Sequence, residues 1–276
     1  MIKENIMGNK SIFTRQNVHD KKMRLVIVRL DYICDCQFNK LKSLFDAAFI
    51  KTFLNPPVVY ENHNIQINLS DKDFVSISRN LNIPIDEIKE LEYVRYTGFK
   101  KGNCFAILDI SQCYMCLTIK CDNNYDGLTD YVEPIKGAFT ILQNKGVYLS
   151  PKRFGIRKIR VEDFGLLDDI NMVFEPFVYN IPSFGCFNKV SLKSEYIDVF
   201  LDSANGLRTN VRRTLERVVD SNKQQKFSAT LDIDAYFHLK ENTKINLRNL
   251  LDCANQKEFE IYKECMSYEY LKSIYG

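Results

Sequence analysis

The regular alternation of apolar and polar residues from Phe227 to Leu239 is the feature that most constrains the fold of this chain. Every second residue of this segment is apolar, and the residues between them are Ser, Thr, Asp, Tyr and His. Successive side chains of a β-strand point to opposite sides. The segment therefore predicts a strand with one buried face and one face open to solvent or to a ligand, as in an antiparallel sheet that is covered on one side.

Apolar patterns in the first half predict further strands and helices. An almost continuous apolar run from Arg24 to Ile33 predicts a central strand that is buried on both faces. An apolar stripe from Phe38 to Phe53 predicts a helix, which Pro56 and Pro57 end. The further elements expected in this half are an extended stretch from 58 to 69, a short helix from about 70 to 81, strands near 91–99, 104–110, 113–121 and 152–161, and a helix from about 126 to 145.

The second half repeats this order of elements. Strands are expected near 187–201, 207–219 and 227–239, and a long helix is expected from about 244 to 266. The sequence thus predicts an α+β fold with two blocks, each a mainly antiparallel sheet packed by a long helix. The expected divisions are a polar N-terminal tail (1–22), a first block (23–165) and a second block (166–276).

Composition limits the class of protein and its compartment. The chain has nine cysteines, an odd number, and several lie within apolar patterns, as is typical of reduced thiols in a cytosolic protein. The polar N-terminus lacks the apolar core of a signal peptide, and no apolar run reaches the length of a membrane span. We therefore expect a cytoplasmic protein with no membrane partner. A net charge of +3 does not require nucleic acid as a partner.

Three short segments carry a resemblance to a known family. They are Arg-Leu-Asp-Tyr-Ile at 29–33, Phe-Gly-Ile-Arg-Lys-Ile at 154–159 and Leu-Asp-Ile-Asp-Ala-Tyr at 231–236. From Met23 onward, the chain resembles a sporadically distributed, uncharacterised family of bacterial and archaeal proteins. The resemblance implies an α+β cytosolic protein. It also implies a setting among mobile-element and phage-defence genes, including accessory genes of CRISPR–Cas loci. It assigns no catalytic residues.

The cysteines Cys113, Cys116 and Cys121 form the pattern nearest to a metal site. A structural zinc site needs four ligands, usually from two Cys-x-x-Cys pairs, and the chain has no second pair. A strand would also place Cys113 and Cys116 on opposite faces. We interpret the three as structural thiols, with zinc as the alternative, and expect no cofactor.

Asp232 and Asp234 lie on the polar side of the alternating strand. Paired carboxylates of this kind occur in metal-dependent nucleases. The other interpretation is ion pairing between strands, with Arg212 near Asp232 or Asp234. The chain has no phosphate-binding glycine loop and no nucleophile elbow. We therefore favour the structural interpretation and expect no enzyme activity.

A basic strand precedes the predicted boundary at residue 165, and its cations are Lys152, Arg153, Arg157, Lys158 and Arg160. We predict that they bind a partner, either a phosphate backbone or an acidic protein surface. The alternative is a solvated sheet edge whose charges prevent aggregation. A regular strand places Arg153 and Arg157 on one face and Arg160 on the other. If the opening strand lies beside this one, a second basic cluster enlarges the basic surface: Lys21, Lys22, Arg24 and Arg29.

Two functions of different class follow from these features. The first is a non-catalytic accessory protein that self-associates, as a homodimer, and binds a larger protein partner. A nucleic-acid enzyme of a CRISPR–Cas or other phage-defence system is the partner that the resemblance suggests. The alternative is a protein that binds RNA or DNA directly, or a metal-dependent nucleic-acid-processing enzyme that uses Asp232 and Asp234.

Overall fold

The computed structural model describes residues 10–16, 18, 22–49, 53–60, 92–99, 104–121, 125, 127–129, 131–179, 193–202, 206–219, 223–240 and 246–275. The short helix expected from about 70 to 81 lies outside these residues. Its strands are β1 (Met23–Cys34), β2 (Val58–Tyr60), β3 (Tyr93–Tyr96), β4 (Phe105–Ser111), β5 (Tyr114–Lys120), β6 (Leu149–Phe164), β7 (Lys193–Leu201), β8 (Leu207–Val219) and β9 (Gln225–His238). Its α-helices are α1 (Phe38–Phe49), α2 (Glu133–Asn144), α3 (Ile170–Val173), α4 (Leu247–Cys265) and α5 (Tyr268–Ser273).

All nine strands join one sheet, in the order β2-β3-β4-β5-β1-β6-β9-β8-β7, and every neighbouring pair is antiparallel. The predicted α+β class with antiparallel strands is confirmed. The prediction of two separate sheets is not confirmed, because β6 pairs with β1 on one side and with β9 on the other. The strands of the second half therefore continue the sheet of the first half.

The apolar core beneath the sheet has two clusters. One cluster surrounds β1, β3, β4 and β5 with α1 and α2, and the other surrounds β8 and the middle of β9 with α5. The long helix α4 contributes to both: its first half, with Leu251 and Ala254, joins the first cluster, and its second half, with Phe259 and Tyr262, joins the second. Asn246 begins this helix, because its side chain accepts a hydrogen bond from Asn249 N (3.2 Å).

The helices α1, α2 and α4 cover only one side of the sheet. On β1, Val26, Val28 and Leu30 point to this covered side and are fully buried. Leu25 and Ile27 point to the other side and are only half-buried, so the prediction that this strand is buried on both faces is corrected. No described helix packs on that other side. No described helix is long and apolar enough to cross a membrane.

We call the uncovered side of the sheet the open face. Its polar and aromatic residues include Arg29, Asp31, Tyr60, Tyr93, Arg95, Asp109, Tyr114, Cys116, Arg153, Arg157, Lys193, Glu195, Arg208, Arg212, Glu216, Asp232, Asp234 and Tyr236. The alternation in β9 that the sequence predicts is confirmed: Leu231, Ile233 and Ala235 are buried on the covered side, and their polar neighbours lie on the open face. Five of the candidate residues therefore share one surface: Arg153, Arg157, Asp232, Asp234 and Cys116.

Candidate functional site

The cations of β6 that the sequence assigns to partner binding divide between the two sides of the sheet. Arg153 and Arg157 lie half-buried on the open face, whereas Lys158 and Arg160 are buried on the covered side. Lys152 is half-buried near the start of the strand. The expected separation of Arg153 and Arg157 from Arg160 is confirmed. The basic strand therefore does not form one basic surface.

Lys158 and Arg160 bind the helix α4 instead of presenting a surface to a partner. Arg160 Nη1 donates to Glu258 Oε1 (2.6 Å), and Lys158 Nζ lies 2.8 Å from Glu258 Oε2. Glu258 is completely buried, and the Arg160 guanidinium also stacks on the Tyr262 ring at 3.9 Å. Burial opposes ionisation of Glu258, but the two cations outweigh it and lower the pKa of this carboxyl group. The assignment of Lys158 and Arg160 to a partner is corrected accordingly.

The carboxylates of β9 are held by arginines of β6. Arg157 donates from Nε (2.8 Å) and Nη2 (2.6 Å) to the two oxygens of Asp232, and Arg153 Nη2 donates to Asp234 (2.7 Å). Ion pairing between strands is thus confirmed, but with a different arginine from the one expected. Arg212 lies directly opposite Asp232 on β8, yet its ion pair is with Glu195 (2.7 Å).

This arrangement does not suit a metal-dependent nuclease. Both oxygens of Asp232 already accept hydrogen bonds, and burial raises the pKa of Asp234 although Arg153 and Arg157 oppose that effect. A catalytic metal would need such oxygens as ligands. In the described ranges, no group of three or more His, Cys, Asp or Glu side chains could hold a metal ion.

The three cysteines of the suspected metal pattern lie in different environments. Cys113 lies in the turn between β4 and β5, beside the Ser111 hydroxyl. Cys116 is on the open face of β5, and Cys121 is buried beyond the end of that strand. Burial raises the pKa of Cys116 even though Arg29 opposes it. The structure thus does not bring the three thiols together as ligands of one ion.

The open face repeats a group of one arginine, one aspartate and one or two tyrosines. Arg29 on β1 donates to Asp31 (2.6 Å) and lies 4.6 Å from the centre of the Tyr114 ring on β5. The sequence pattern places Arg29 only in a basic cluster and does not indicate its contacts with Asp31 and Tyr114. The pairing of Arg29 with Asp31 could have been predicted, because residues two apart in a strand share a face.

A second group lies at the β2 end of the sheet. Arg95 on β3 donates from Nε (2.7 Å) and Nη2 (2.8 Å) to Asp109 on β4. Its guanidinium lies near the rings of Tyr60 and Tyr93, which stack on each other at 4.9 Å. Hydrogen bonding to Asp109 raises the pKa of Arg95, so this guanidinium remains charged over the whole physiological range. The sequence analysis missed all four residues.

A third group joins β6 to β9. Arg153, already paired with Asp234, also lies 4.2 Å from the centre of the Tyr236 ring. Tyr236 lies opposite Gly155, and a Cβ atom added to this glycine would lie only 2.4 Å from Tyr236 Cβ. The glycine inside the basic strand therefore gives Tyr236 room to lie against β6. The three groups are spread across the width of the sheet.

Comparison with known proteins gives no further guide: no protein-family model matches this chain, and a search of curated proteins finds no significant relative.

Proposed function

We propose that this protein is a non-catalytic interaction protein of the cytoplasm, which self-associates and binds a larger protein partner through the open face. The observation that supports the proposal best is the charge balance of that face. Six of its cations lie against a carboxylate: Arg29–Asp31, Arg95–Asp109, Arg153–Asp234, Arg157–Asp232, Lys193–Glu216 and Arg212–Glu195.

Such a surface is better suited to a protein than to nucleic acid. Binding to a phosphate backbone depends on cations that release counterions from the phosphates. Here an arginine such as Arg157 would first have to leave Asp232, to which it donates twice. A protein partner can instead contact the tyrosine rings and leave the ion pairs intact. Tyrosine and arginine are also the residues that most often dominate the binding energy of protein interfaces.

The family resemblance of the sequence favours one class of larger protein partner. A family that occurs among phage-defence genes suggests a nucleic-acid enzyme of a CRISPR–Cas or other defence system as the larger protein. In this proposal the chain does not carry out catalysis itself. It holds or positions that enzyme, and the aromatic groups around Tyr93, Tyr114 and Tyr236 make the contact.

Nucleic-acid assays test the alternative function directly. We expect no binding of labelled single-stranded or duplex RNA and DNA by fluorescence anisotropy, even at low salt of about 50 mM where such binding is strongest. We also expect no cleavage with Mg²⁺ or Mn²⁺. Tight binding that weakens steeply with salt would support the direct nucleic-acid function. Metal-dependent cleavage that Asp232→Asn abolishes would support the nuclease.

A comparison of variants tests the protein-binding function. Cross-linking and mass spectrometry in the source cells should recover a partner with the wild-type chain and lose it with the double change Tyr60→Ala and Tyr93→Ala. Tyr148→Ala is the matched control, because Tyr148 is an exposed tyrosine (51%) outside the open face. A recovered protein that is insensitive to both variants would contradict a role for this end of the open face.

A further inference from the structure

The strand β7 forms an edge of the sheet against which no described strand pairs, and much of its surface is apolar. Four of its large apolar residues are more than half exposed, namely Ile197 (56%), Val199 (67%), Phe200 (53%) and Leu201 (63%). The opposite edge is β2, which has only three residues and follows Pro56 and Pro57. Short strands and prolines are common means of preventing edge-to-edge association. The sheet therefore has one protected edge and one edge suited to pairing.

The backbone of β7 presents hydrogen-bonding groups on its outer side. Asp202 N donates to Leu207 O (2.8 Å), so the backbone groups of Asp202 point toward β8. Because these groups alternate in direction along an antiparallel strand, those of Leu201, Val199 and Ile197 point away from β8. No described residue pairs with this outer side. A strand that lies alongside β7 would complete the hydrogen bonds.

The charges of β7 would not repel an identical strand. Each charged side chain of β7 lies against an opposite charge on β8; the pairs are Lys193–Glu216 (2.6 Å), Glu195–Arg212 (2.7 Å) and Asp198–Arg213. An exposed strand with uncompensated charge of one sign would oppose its own copy. Here neutralisation occurs within each chain, so the outer edge presents mainly apolar side chains and backbone groups.

We propose that two copies of this chain associate through β7, as antiparallel edge strands related by a two-fold axis through Val199. This inference specifies the self-association in the proposed function and rests on it. Val199 then faces Val199 of the second copy, and Ile197 faces Leu201 of the second copy. Both contacts lie on the open face and bring aliphatic side chains together. A second copy is favoured over an unrelated peptide because the apolar positions of the open face, Ile197, Val199 and Leu201, are symmetric about Val199.

Pairing of this kind has a consequence for the proposed partner. A two-fold axis perpendicular to the sheet keeps the same side of both sheets uncovered. Two nine-stranded sheets become one, and the two open faces form a continuous surface. The dimer thus presents two equivalent sets of aromatic groups on one side, which suits a partner that is itself two-fold symmetric.

Molar mass in solution tests the inference with a matched pair of variants. Analytical ultracentrifugation of the wild type should show a mass of twice 32.3 kDa at high concentration and dissociation on dilution. Val199→Lys should weaken the dimer by at least about tenfold, because the charge would be buried at the axis in both copies. Val219→Lys is the control, since Val219 is an equally exposed valine (65%) in β8, outside the pairing edge, and should leave the dimer unchanged.

A measurement on the wild-type protein tests the β7 interface without a substitution that could itself disturb folding. Hydrogen exchange at the outward amides of Ile197, Val199 and Leu201 should slow as concentration rises, while exchange in β2 stays constant. A wild type that is monomeric at all concentrations would overturn both self-association and the role of β7. A dimer that resists Val199→Lys, with no change of exchange in β7, would overturn only this surface. Partner binding through Tyr60 and Tyr93 is measured separately. Its failure is therefore distinguishable from a failure of self-association and from a failure of the β7 interface.

Discussion

Arg160 on β6 and Glu258 on α4 form a buried ion pair, with 2.6 Å between Nη1 and Oε1. Both side chains are almost completely removed from solvent, and Lys158 lies on the second oxygen of the same carboxylate. The three charges connect the helix to the centre of the sheet, between the two apolar clusters. A residue of the predicted partner-binding strand thus fixes the position of α4, the longest of the described helices.

Glu258→Gln should destabilise the fold by about 3–5 kcal/mol, because removing one partner of a buried pair leaves the other charge uncompensated. Two cations, Lys158 and Arg160, would remain buried without a counter-charge. Urea unfolding monitored by circular dichroism measures the free energy of unfolding. Glu260→Gln on the same helix is the control: its carboxylate is 46% exposed, and we expect a change within about 0.5 kcal/mol. Equal effects of the two changes would show that the buried pair has no special role.

The same carboxylate should make stability depend on pH in acid. The pKa of Glu258 is lowered below 4.5 in the folded protein, so the unfolded chain binds its proton at a higher pH than the folded chain does. Its contribution is therefore complete above about pH 4.5 and is lost as the pH falls through the folded-state pKa. The difference in unfolding free energy between wild type and Glu258→Gln should shrink as the pH falls below about 4.5. A constant difference down to pH 3 would contradict the lowered pKa.

Gly155→Ala should destabilise the sheet by about 1–3 kcal/mol, the usual cost of forcing an extra methyl group into a packed site. The added Cβ would lie 2.4 Å from Tyr236 Cβ and 2.6 Å from the Ala235 carbonyl oxygen, so backbone would have to move. Thermal unfolding measures the effect. Gly165→Ala serves as the comparison, because nothing lies within 4 Å of its added Cβ. A neutral Gly155→Ala would mean that β6 and β9 can separate without cost.

Asp232→Asn should lower the free energy of unfolding by about 1–2 kcal/mol, since it weakens a charge-assisted hydrogen-bonded pair with Arg157. Asp232 is only 6% exposed, so we expect a larger effect than for a solvent-exposed ion pair between strands. Urea unfolding checks the value against Asp163→Asn, an exposed aspartate on β6 that should change little. Loss of a metal-dependent activity with unchanged stability would instead make Asp232 catalytic.

The strands and helices that pack by simple periodicity could be predicted from the sequence. The alternation around Leu231 identified β9 and its polar face, and the stripe that includes Leu251 and Tyr262 identified α4. Both patterns depend only on which side of a strand or helix is apolar. This can be read from the residues of that element alone. The union of the two halves could not be predicted in this way. It depends on β6, which pairs with β1 along one edge and with β9 along the other. The local sequence of a strand does not show whether one or both of its edges are paired.

Candidate residues were harder to place than elements, because charge alone does not show what a side chain contacts. Arg153 and Arg160 look alike in the sequence, yet one lies on the open face and the other under α4. The partner of Arg160 is 98 residues away, at Glu258. Arg95 and Asp109 were missed for a different reason: they lie opposite each other on β3 and β4, and the register of the two strands is not visible from composition.

The arginines of β6 offer a last prediction that separates surface from core. Arg160→Gln alone should destabilise the fold by about 2–4 kcal/mol, because it removes a charge-assisted hydrogen bond to the fully buried Glu258 and the stacking on Tyr262. The double change Arg153→Gln and Arg157→Gln should cost less, since both pairs lie at the partly solvated open face, where screening reduces their strength. Urea unfolding of the two variants measures this order directly. In the cross-linking assay, the double variant should also recover less partner than the wild type does. The reverse order of stabilities would show that the ion pairs of the open face, rather than the pair beneath α4, hold the sheet together.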